Sequence, residues 1–201
     1  MPVYPEADPG LVAAAQRGDL NAFNALVLQF QDSAFSLAYR LIGDRDAAAD
    51  LAQDAMIVAW RKIGSFRGGS FRSWLLRITA NHCTDEFRRR KRTPSVSLEA
   101  MSFDDDAWAP PASEDTPEQA AQRADLNRAI QRCLMALPDD QRVVAVLSDV
   151  EGLDYQTIAG QLGAALGTVK SRLSRARAAL RDCLRGALEL PAPSERLISG
   201  E

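Results

Sequence analysis

Histidine is nearly absent from this 201-residue chain, which contains only His82. A histidine-based metal cluster is therefore excluded, and the cysteines form no Cys-x-x-Cys motif for a metal or a redox pair. The chain also lacks a GxxxxGK[ST] phosphate loop and a GxSxG nucleophile motif. Because no catalytic constellation is present, we expect a protein that is not an enzyme and that needs no metal or other cofactor. Function then has to be argued from binding.

Long apolar runs are missing as well. No stretch approaches the roughly 18 apolar residues of a transmembrane helix, and the N-terminal MPVYPEADPG has no basic segment followed by an apolar one. Cys83, Cys133 and Cys183 are odd in number and far apart, which favours reduced thiols in a cytoplasm over a disulfide framework. We therefore expect a cytoplasmic protein without direct membrane insertion.

The chain does contain a strong charge asymmetry, which its formal net charge of −3 hides. Residues 93–122 hold seven acids and no lysine or arginine, and they directly follow the basic run Arg88–Arg92. A second cationic stretch, 168–185, has six lysines and arginines against one acid. Local patches, and not the sum of charges, decide whether a protein binds nucleic acid, so the acidic balance does not exclude DNA.

Apolar residues recur at helical spacing in two blocks, and no strand pattern is present. We predict an all-α fold of two small helical domains joined by an extended acidic linker. The predicted domains are 9–92 and 116–187, the linker is 93–115, and 188–201 is expected to be a frayed tail. Within the first domain the pattern predicts helices 9–16, 20–42, 44–62 and 70–92. Thr116-Pro117 opens the second domain with a capping box.

Residues 153–180 have the layout of a helix-turn-helix DNA reader: a short helix, a glycine-bearing turn and a helix crowded with cations. We expect Thr168 to cap the second helix and to leave free N–H groups that suit a DNA phosphate. Arginines in the first turns of such a helix can pair with guanine. The predicted duplex-contacting residues are Thr168, Lys170, Ser171, Arg172, Arg175 and Arg177. A solvated basic helix that binds nothing is the alternative.

A resemblance to a known protein family makes the prediction of a DNA-binding protein more specific. Residues 46–92, DAAADLAQDAMIVAWRKIGSFRGGSFRSWLLRITANHCTDEFRRRKR, strongly resemble the promoter-melting domain of bacterial extracytoplasmic-function sigma factors, group IV of the sigma-70 family. The segments LPDDQRVVAVLSDVEGLDYQTIAGQLG and GTVKSRLSRARAAL resemble the domain of the same family that reads the −35 promoter element. The likeness covers about 9–186. It implies a sigma region 2 helical bundle and a sigma region 4 helix-turn-helix, with core RNA polymerase, promoter DNA and a cognate anti-sigma factor as partners.

The resemblance also implies site residues in the first domain. A helix face with Asp50, Gln53 and Asp54 would dock on a coiled coil of the polymerase core. The loop 65–69 and the helix after it would bind the −10 element as a melted single strand, with one base flipped into a pocket and Arg72 among the cations that hold the backbone. The residues implied for this strand are Ser65, Phe66, Arg67, Gly68, Arg77, Asn81 and Arg88.

Two positions depart from the family's pattern. Ala165-Leu166 stands where a Pro-Val pair is common in the turn, and Ser174 stands where a bulky aromatic is frequent. Promoter preference therefore does not carry over from the family. A stand-alone helix-turn-helix regulator is the alternative function, although such a protein would usually be a symmetric dimer and would not need the SFRGG loop or an acidic connector. A protein-interaction adaptor is a third hypothesis, which the basic helix argues against.

Overall fold

The structure, a computed structural model, describes residues 6–92 and 116–189, with side chains described as far as residue 187. These ranges contain helices and turns but no strand, which confirms the all-α prediction. The acidic linker 93–115 and most of the predicted tail lie outside the described residues. In the described part of the chain, no helix is long and apolar enough to cross a membrane.

Four helices make up the first block: α1 (Pro9–Gln16), α2 (Leu20–Ile42), α3 (Arg45–Lys62) and α4 (Phe71–Arg92). A 3₁₀ turn, Ile63–Ser65, follows α3. The carboxylates of Asp8, Asp19 and Asp44 accept hydrogen bonds from first-turn N–H groups of α1, α2 and α3. Gly43, with φ +79°, ends α2 in the left-handed conformation. All four helices agree with the predicted bounds to within one residue.

The second block also contains four α-helices: α5 (Pro117–Met135), α6 (Asp139–Ala145), α7 (Tyr155–Leu162) and α8 (Leu166–Glu189). The predicted capping box at Thr116 and Gln119 is present. One π-helical turn, Val146–Val150, continues α6, where the sequence predicted ordinary helix. It closes with the N–H of Glu151 donating to the carbonyl of Val146 at 3.0 Å.

The start of α8 corrects one prediction. The helix begins at Leu166, so Thr168 lies inside the first turn and is not the N-cap. The N–H of Thr168 donates to the carbonyl of Ala165 at 2.9 Å and is therefore not free for a phosphate. Gly163, with φ +61°, already makes the turn after α7, and without a proline the good helix former Leu166 joins α8.

Two hydrophobic clusters form the core. One belongs to the first block alone and includes Phe23, Leu26 and Phe30. The other is shared: it joins Leu37 and Leu76 of the first block to residues of all four helices of the second block. The two blocks are therefore packed against each other in this structure.

Buried polar contacts cross the same boundary. Glu151 and Arg72 form an ion pair at 2.5 Å, with side chains 2% and 9% exposed. Gln131 donates to the carbonyl of Tyr39 at 2.9 Å. Arg142 donates to the carbonyl of Leu41 at 2.8 Å. These three contacts form only while the blocks stay together, so the interface is specific as well as apolar.

The cysteines do not behave as predicted. Cys133 on α5 and Cys183 on α8 form a disulfide with their Cα atoms 5.8 Å apart. The expectation of reduced thiols is wrong for this pair, because the packing of α5 on α8 brings together residues that are 50 positions apart. Cys83 carries no disulfide and is buried, and that burial raises the pKa of its thiol to about 12.

Candidate nucleic-acid interfaces

The loop between α3 and α4 combines a buried aromatic with exposed glycines. Phe66 is 8% exposed, and its ring packs on Phe71 and Trp74 at 5.8 and 5.5 Å between centroids. Gly68 and Gly69 have φ of +95° and +84°, a conformation that strains any L side chain. Phe66 is therefore a wall of the loop and not an open platform for stacking.

A cavity of about 330 Å³ lies beside this loop. One side is the loop backbone, and the other is the face of α1 and the residues before it. The lining residues are Ala7, Pro9, Val12, Ala13, Gln16, Phe66, Arg67, Gly68, Gly69 and Phe71. A small, mostly apolar cavity with backbone polar groups on one wall can hold one planar ring.

An exposed stripe of α4 continues from the loop. Arg77, Asn81 and Arg88 are all exposed, and their spacing of four and seven residues places them on one face of the helix. Ser65 and Arg67 are exposed at the loop end of this stripe. Six of the seven predicted −10 residues are therefore exposed, and Phe66 is buried.

Arg72 is the exception among the cations expected to hold the −10 strand. It lies on the opposite side of α4 from Arg77, and Glu151 of the second block buries and neutralises it. The five-residue spacing of Arg72 and Arg77 places them on different faces of α4, so a charge count alone does not predict which of them is exposed. In this arrangement Arg72 cannot reach a DNA backbone.

The second predicted reader is the N-terminal half of α8. The opposite face of this helix packs into the core: Val169, Leu173 and Ala176 are at most 2% exposed, and Leu180 is partly buried against the same cluster. Lys170, Ser171 and Arg175 are exposed, whereas Thr168 is half-buried. Ser174 is exposed beside Arg175, although it was not among the predicted duplex-contacting residues. Its position opposite the apolar stripe could have predicted that exposure from the sequence.

Two of the predicted α8 arginines are bound within the domain. Arg172 forms an ion pair with Asp140 at 2.9 Å. Arg177 donates two hydrogen bonds to Asp149, at 2.6 and 3.0 Å, and these bonds raise the pKa of its guanidinium. Both arginines lie beside the exposed face of α8. To contact DNA, each would have to break its ion pair with Asp140 or Asp149 and bind a phosphate or a base instead.

The third predicted surface lies on α3. Asp50, Gln53 and Asp54 are exposed, as expected, while Ala55 is fully buried. Gln53 also borders a groove of about 450 Å³ between α2 and α3, which sequence reasoning missed. Its lining residues are Val27, Gln31, Asp32, Phe35, Ala49, Ala52, Gln53 and Met56. An apolar groove with Gln31, Asp32 and Gln53 among its lining residues can receive the apolar face of a partner helix.

Comparison with known proteins matches both blocks to one family. The family profile of Sigma-70 region 2 matches residues 26–93, and that of Sigma-70 region 4 matches residues 127–180. The chain belongs to the sigma-70 family. The stand-alone regulator is not supported, because both blocks match sigma regions. As a sigma factor the protein is a transcription initiation factor and not an enzyme.

Several extracytoplasmic-function (ECF) sigma factors are similar to this one. ECF RNA polymerase sigma factor SigE of Mycolicibacterium smegmatis is 39% identical over 172 residues, which cover 86% of this chain and 65% of that protein's length. RNA polymerase sigma-H factor of Pseudomonas aeruginosa is 37% identical over 91% of this chain and 96% of its own. ECF RNA polymerase sigma-E factor of Escherichia coli is 35% identical over 86% and 92%.

Two solved structures share the fold. The sigma factor RpoE of Bartonella quintana, in complex with the anti-sigma factor NepR, matches with a TM-score of 0.62 and 29% identity over 83% of this chain and 98% of that one. CnrH, in complex with the cytosolic domain of CnrY, matches with a TM-score of 0.59 and 27% identity over 90% and 99%. Helix α1 lies outside both family matches, so they assign it no role.

Proposed function

We propose that this cytoplasmic sigma factor uses three separate surfaces. The exposed face of α3 binds the polymerase core, α8 reads the −35 element as duplex, and the 65–69 loop with α4 binds the −10 element as single strand. The observation that carries the proposal is the cavity beside Gly68 and Gly69, which is followed along the chain by the exposed α4 stripe of Arg77, Asn81 and Arg88.

The −10 surface suits a melted strand for physical reasons. Flipping a base out of a stack costs a few kcal/mol, least when the strand is already unpaired, and a fitted pocket offsets that cost. The cavity of about 330 Å³ has room for one base, while the cations of α4 lie where the backbone would pass. Duplex DNA has no flipped base for such a cavity, so the surface favours the melted form.

The −35 surface suits the major groove. Lys170, Ser171 and Arg175 are exposed on the first turns of α8, the part of a recognition helix that contacts base edges. Arg175 can pair bidentately with guanine. Arg172 and Arg177 contribute less, because binding DNA would cost them their carboxylates Asp140 and Asp149.

Both elements can be bound only if the two blocks separate. By their names, the elements lie about 25 base pairs apart, or about 85 Å of duplex at 3.4 Å per base pair. A compact chain of this length has a radius of gyration of about 16 Å. The described arrangement is therefore the closed form of the sigma factor, and promoter binding opens it across the shared core.

We propose a cognate anti-sigma factor as a further partner. RpoE of Bartonella quintana was solved bound to the anti-sigma factor NepR, and CnrH bound to the cytosolic domain of CnrY. This chain covers nearly all of both proteins, so the surfaces available to such a partner are present here.

Transcription by purified core polymerase, with and without this protein, tests the proposal when RNA 5′ ends are sequenced. Shared upstream elements in the presence of the protein support it, and unchanged start sites overturn it. Arg175→Ala should weaken binding of −35 duplex roughly 5- to 150-fold. The matched control is Arg181→Ala, which removes the same charge farther along α8 and should have a much smaller effect.

Melting is tested separately at the α4 stripe. Asn81→Ala should slow open-complex formation more than it weakens binding to closed duplex. Asn24→Ala, at an exposed position on α2, is the matched control and should behave as wild type. Equal losses in both variants would indicate that the α4 stripe has no special role.

A further inference from the structure

Helix α1 is joined to the −10 loop by a single side chain. The amide nitrogen of Gln16 donates to the carbonyl of Ile63 at 3.1 Å and to the carbonyl of Phe66 at 2.8 Å. The two carbonyls bracket the 3₁₀ turn that leads into Gly68 and Gly69. One residue at the end of α1 therefore holds both ends of the turn from which the loop departs.

The orientation of this amide is fixed by its partners. Both partners are carbonyl oxygens, so the NH₂ group has to face them, and its two hydrogens are both used. Gln16 consequently has no donor left for a nucleotide. Its Oε1 can still accept, and Gln16→Lys, which has a donor but no acceptor, separates a direct contact to the base from an effect through the loop.

Helix α1 is also the far wall of the cavity. Pro9, Val12 and Ala13 line it opposite the loop backbone, and Gln16 lies where the two walls meet. Buried Val12 and Ala15 anchor α1 in the same hydrophobic cluster as Phe66. The separation of the walls is thus set by the packing of α1 and by the two Gln16 hydrogen bonds.

Because Gly68 and Gly69 carry no side chains, the position of the loop depends on contacts such as the two Gln16 hydrogen bonds. A Cβ added at Gly68 or Gly69 would meet nothing within 4 Å, so no side chain packs there to hold the loop. Two successive residues with positive φ and open space around them define the backbone weakly. The Gln16 bonds add to the contacts that the loop makes elsewhere, which are the Arg67 bond to the Gly64 carbonyl and the packing of Phe66 on Phe71 and Trp74.

We propose that α1 completes the pocket for the flipped −10 base and that Gln16 is its positioning residue. The inference rests on the proposed function, since it needs a −10 strand with a captured base. It assigns a role to a helix outside the matched family regions. Gln16 sets the width of the pocket, and therefore how strongly the captured base contributes to binding.

The test uses holoenzyme assembled from the full chain and core polymerase, on forked promoter DNA taken from the mapped start sites. Abasic substitutions are placed one at a time along the single-stranded −10 element, and affinity is measured for each. In the wild type, one position should show a penalty of roughly 5- to 150-fold. Gln16→Met keeps the length of the side chain but removes both hydrogen-bond donors. In this variant the abasic substitution should cause almost no loss of affinity at that position.

Control variants separate positioning from general damage. Gln16→Lys retains a donor and should keep the position-specific penalty. Gln122→Met makes the same exchange at an exposed side chain on α5, which does not line the cavity. It should match the wild type at every position. Thermal unfolding of each variant checks that it is folded.

The outcomes are distinguishable. A wild-type protein with no penalised position contradicts base capture, and with it the proposed function. A clear wild-type penalty that Gln16→Met leaves unchanged overturns only the role of Gln16. A uniform loss at all positions in Gln16→Met would show a structural role without positioning, and this too overturns the inference.

Discussion

Replacing Glu151 with alanine should destabilise the closed form more than almost any other single change of a charged residue. Its carboxylate lies 2.5 Å from Arg72 on α4 and 3.9 Å from Arg40 on α2. It is the acid through which the second block neutralises these cations, and its side chain is 2% exposed. Glu151→Ala removes the acid while the Arg72 guanidinium stays buried.

The expected magnitude follows from that burial. Removing one partner of a buried ion pair costs about 3–5 kcal/mol, because the remaining charge keeps its desolvation penalty. Replacing both partners with apolar residues of similar volume is often neutral or stabilising. The double variant Arg72→Met/Glu151→Leu should therefore recover most of the free energy of unfolding that Glu151→Ala loses.

Urea unfolding followed by circular dichroism measures this, together with the radius of gyration from small-angle scattering. Asp125→Ala, which breaks an exposed pair with Arg128 in α5, is the control and should change stability by at most about 0.5 kcal/mol. Since the Glu151 pair joins the two blocks, the single variant should also expand. If Glu151→Ala lost no more stability than the control and its radius of gyration were unchanged, the Arg72–Glu151 pair would not hold the two blocks together.

Three further predictions concern single groups. Reducing the Cys133–Cys183 disulfide, or replacing both cysteines with serine, should destabilise the second block by about 4 kcal/mol, the entropy term for a loop of 50 residues; unfolding with and without reductant measures it. Cys83 should not react with a thiol reagent at pH 8 until the protein unfolds, because burial raises its pKa to about 12, and a fast reaction in the native state would contradict this burial. The pKa of Asp154 is lowered by hydrogen bonds from Thr157, so its capping contribution is complete above the ordinary carboxyl pKa and is lost as the pH falls through the lowered one. Urea midpoints across acid pH should therefore fall less steeply in Asp154→Asn than in wild type.

Local signals in the sequence predicted the helices well. Caps such as Asp44 and Thr116 and the left-handed Gly43 act within a few residues, so their effect is visible in the sequence. The π turn after α6 was not predicted, because a local motif does not encode one extra residue in a helical turn. The start of α8 was missed by three residues for a related reason: Thr168 is a good cap by type, but the turn after Gly163 is complete before it.

The site was predictable in composition but not in contacts. Exposure of Arg77, Asn81 and Arg88 follows from helical spacing, which a sequence shows directly. The burial of Arg72, the Cys133–Cys183 disulfide and the hold of Gln16 on the loop each depend on residues 47 or more positions away. No periodicity reports such pairings, so they appear only once the helices are packed.

The shared core explains why a free sigma factor of this kind should bind promoter DNA weakly. Opening the blocks exposes apolar residues such as Leu37 and Leu76 and separates the buried Arg72–Glu151 pair. The free energy of that exposure is subtracted from any DNA affinity that needs both blocks apart. Core polymerase that binds the opened form supplies the difference, because a ligand shifts an equilibrium only by its differential affinity for the two states. Affinity for a promoter spanning both elements should therefore rise steeply in holoenzyme. Affinity for an isolated −35 duplex should rise much less, because Lys170, Ser171 and Arg175 are already exposed in the closed form.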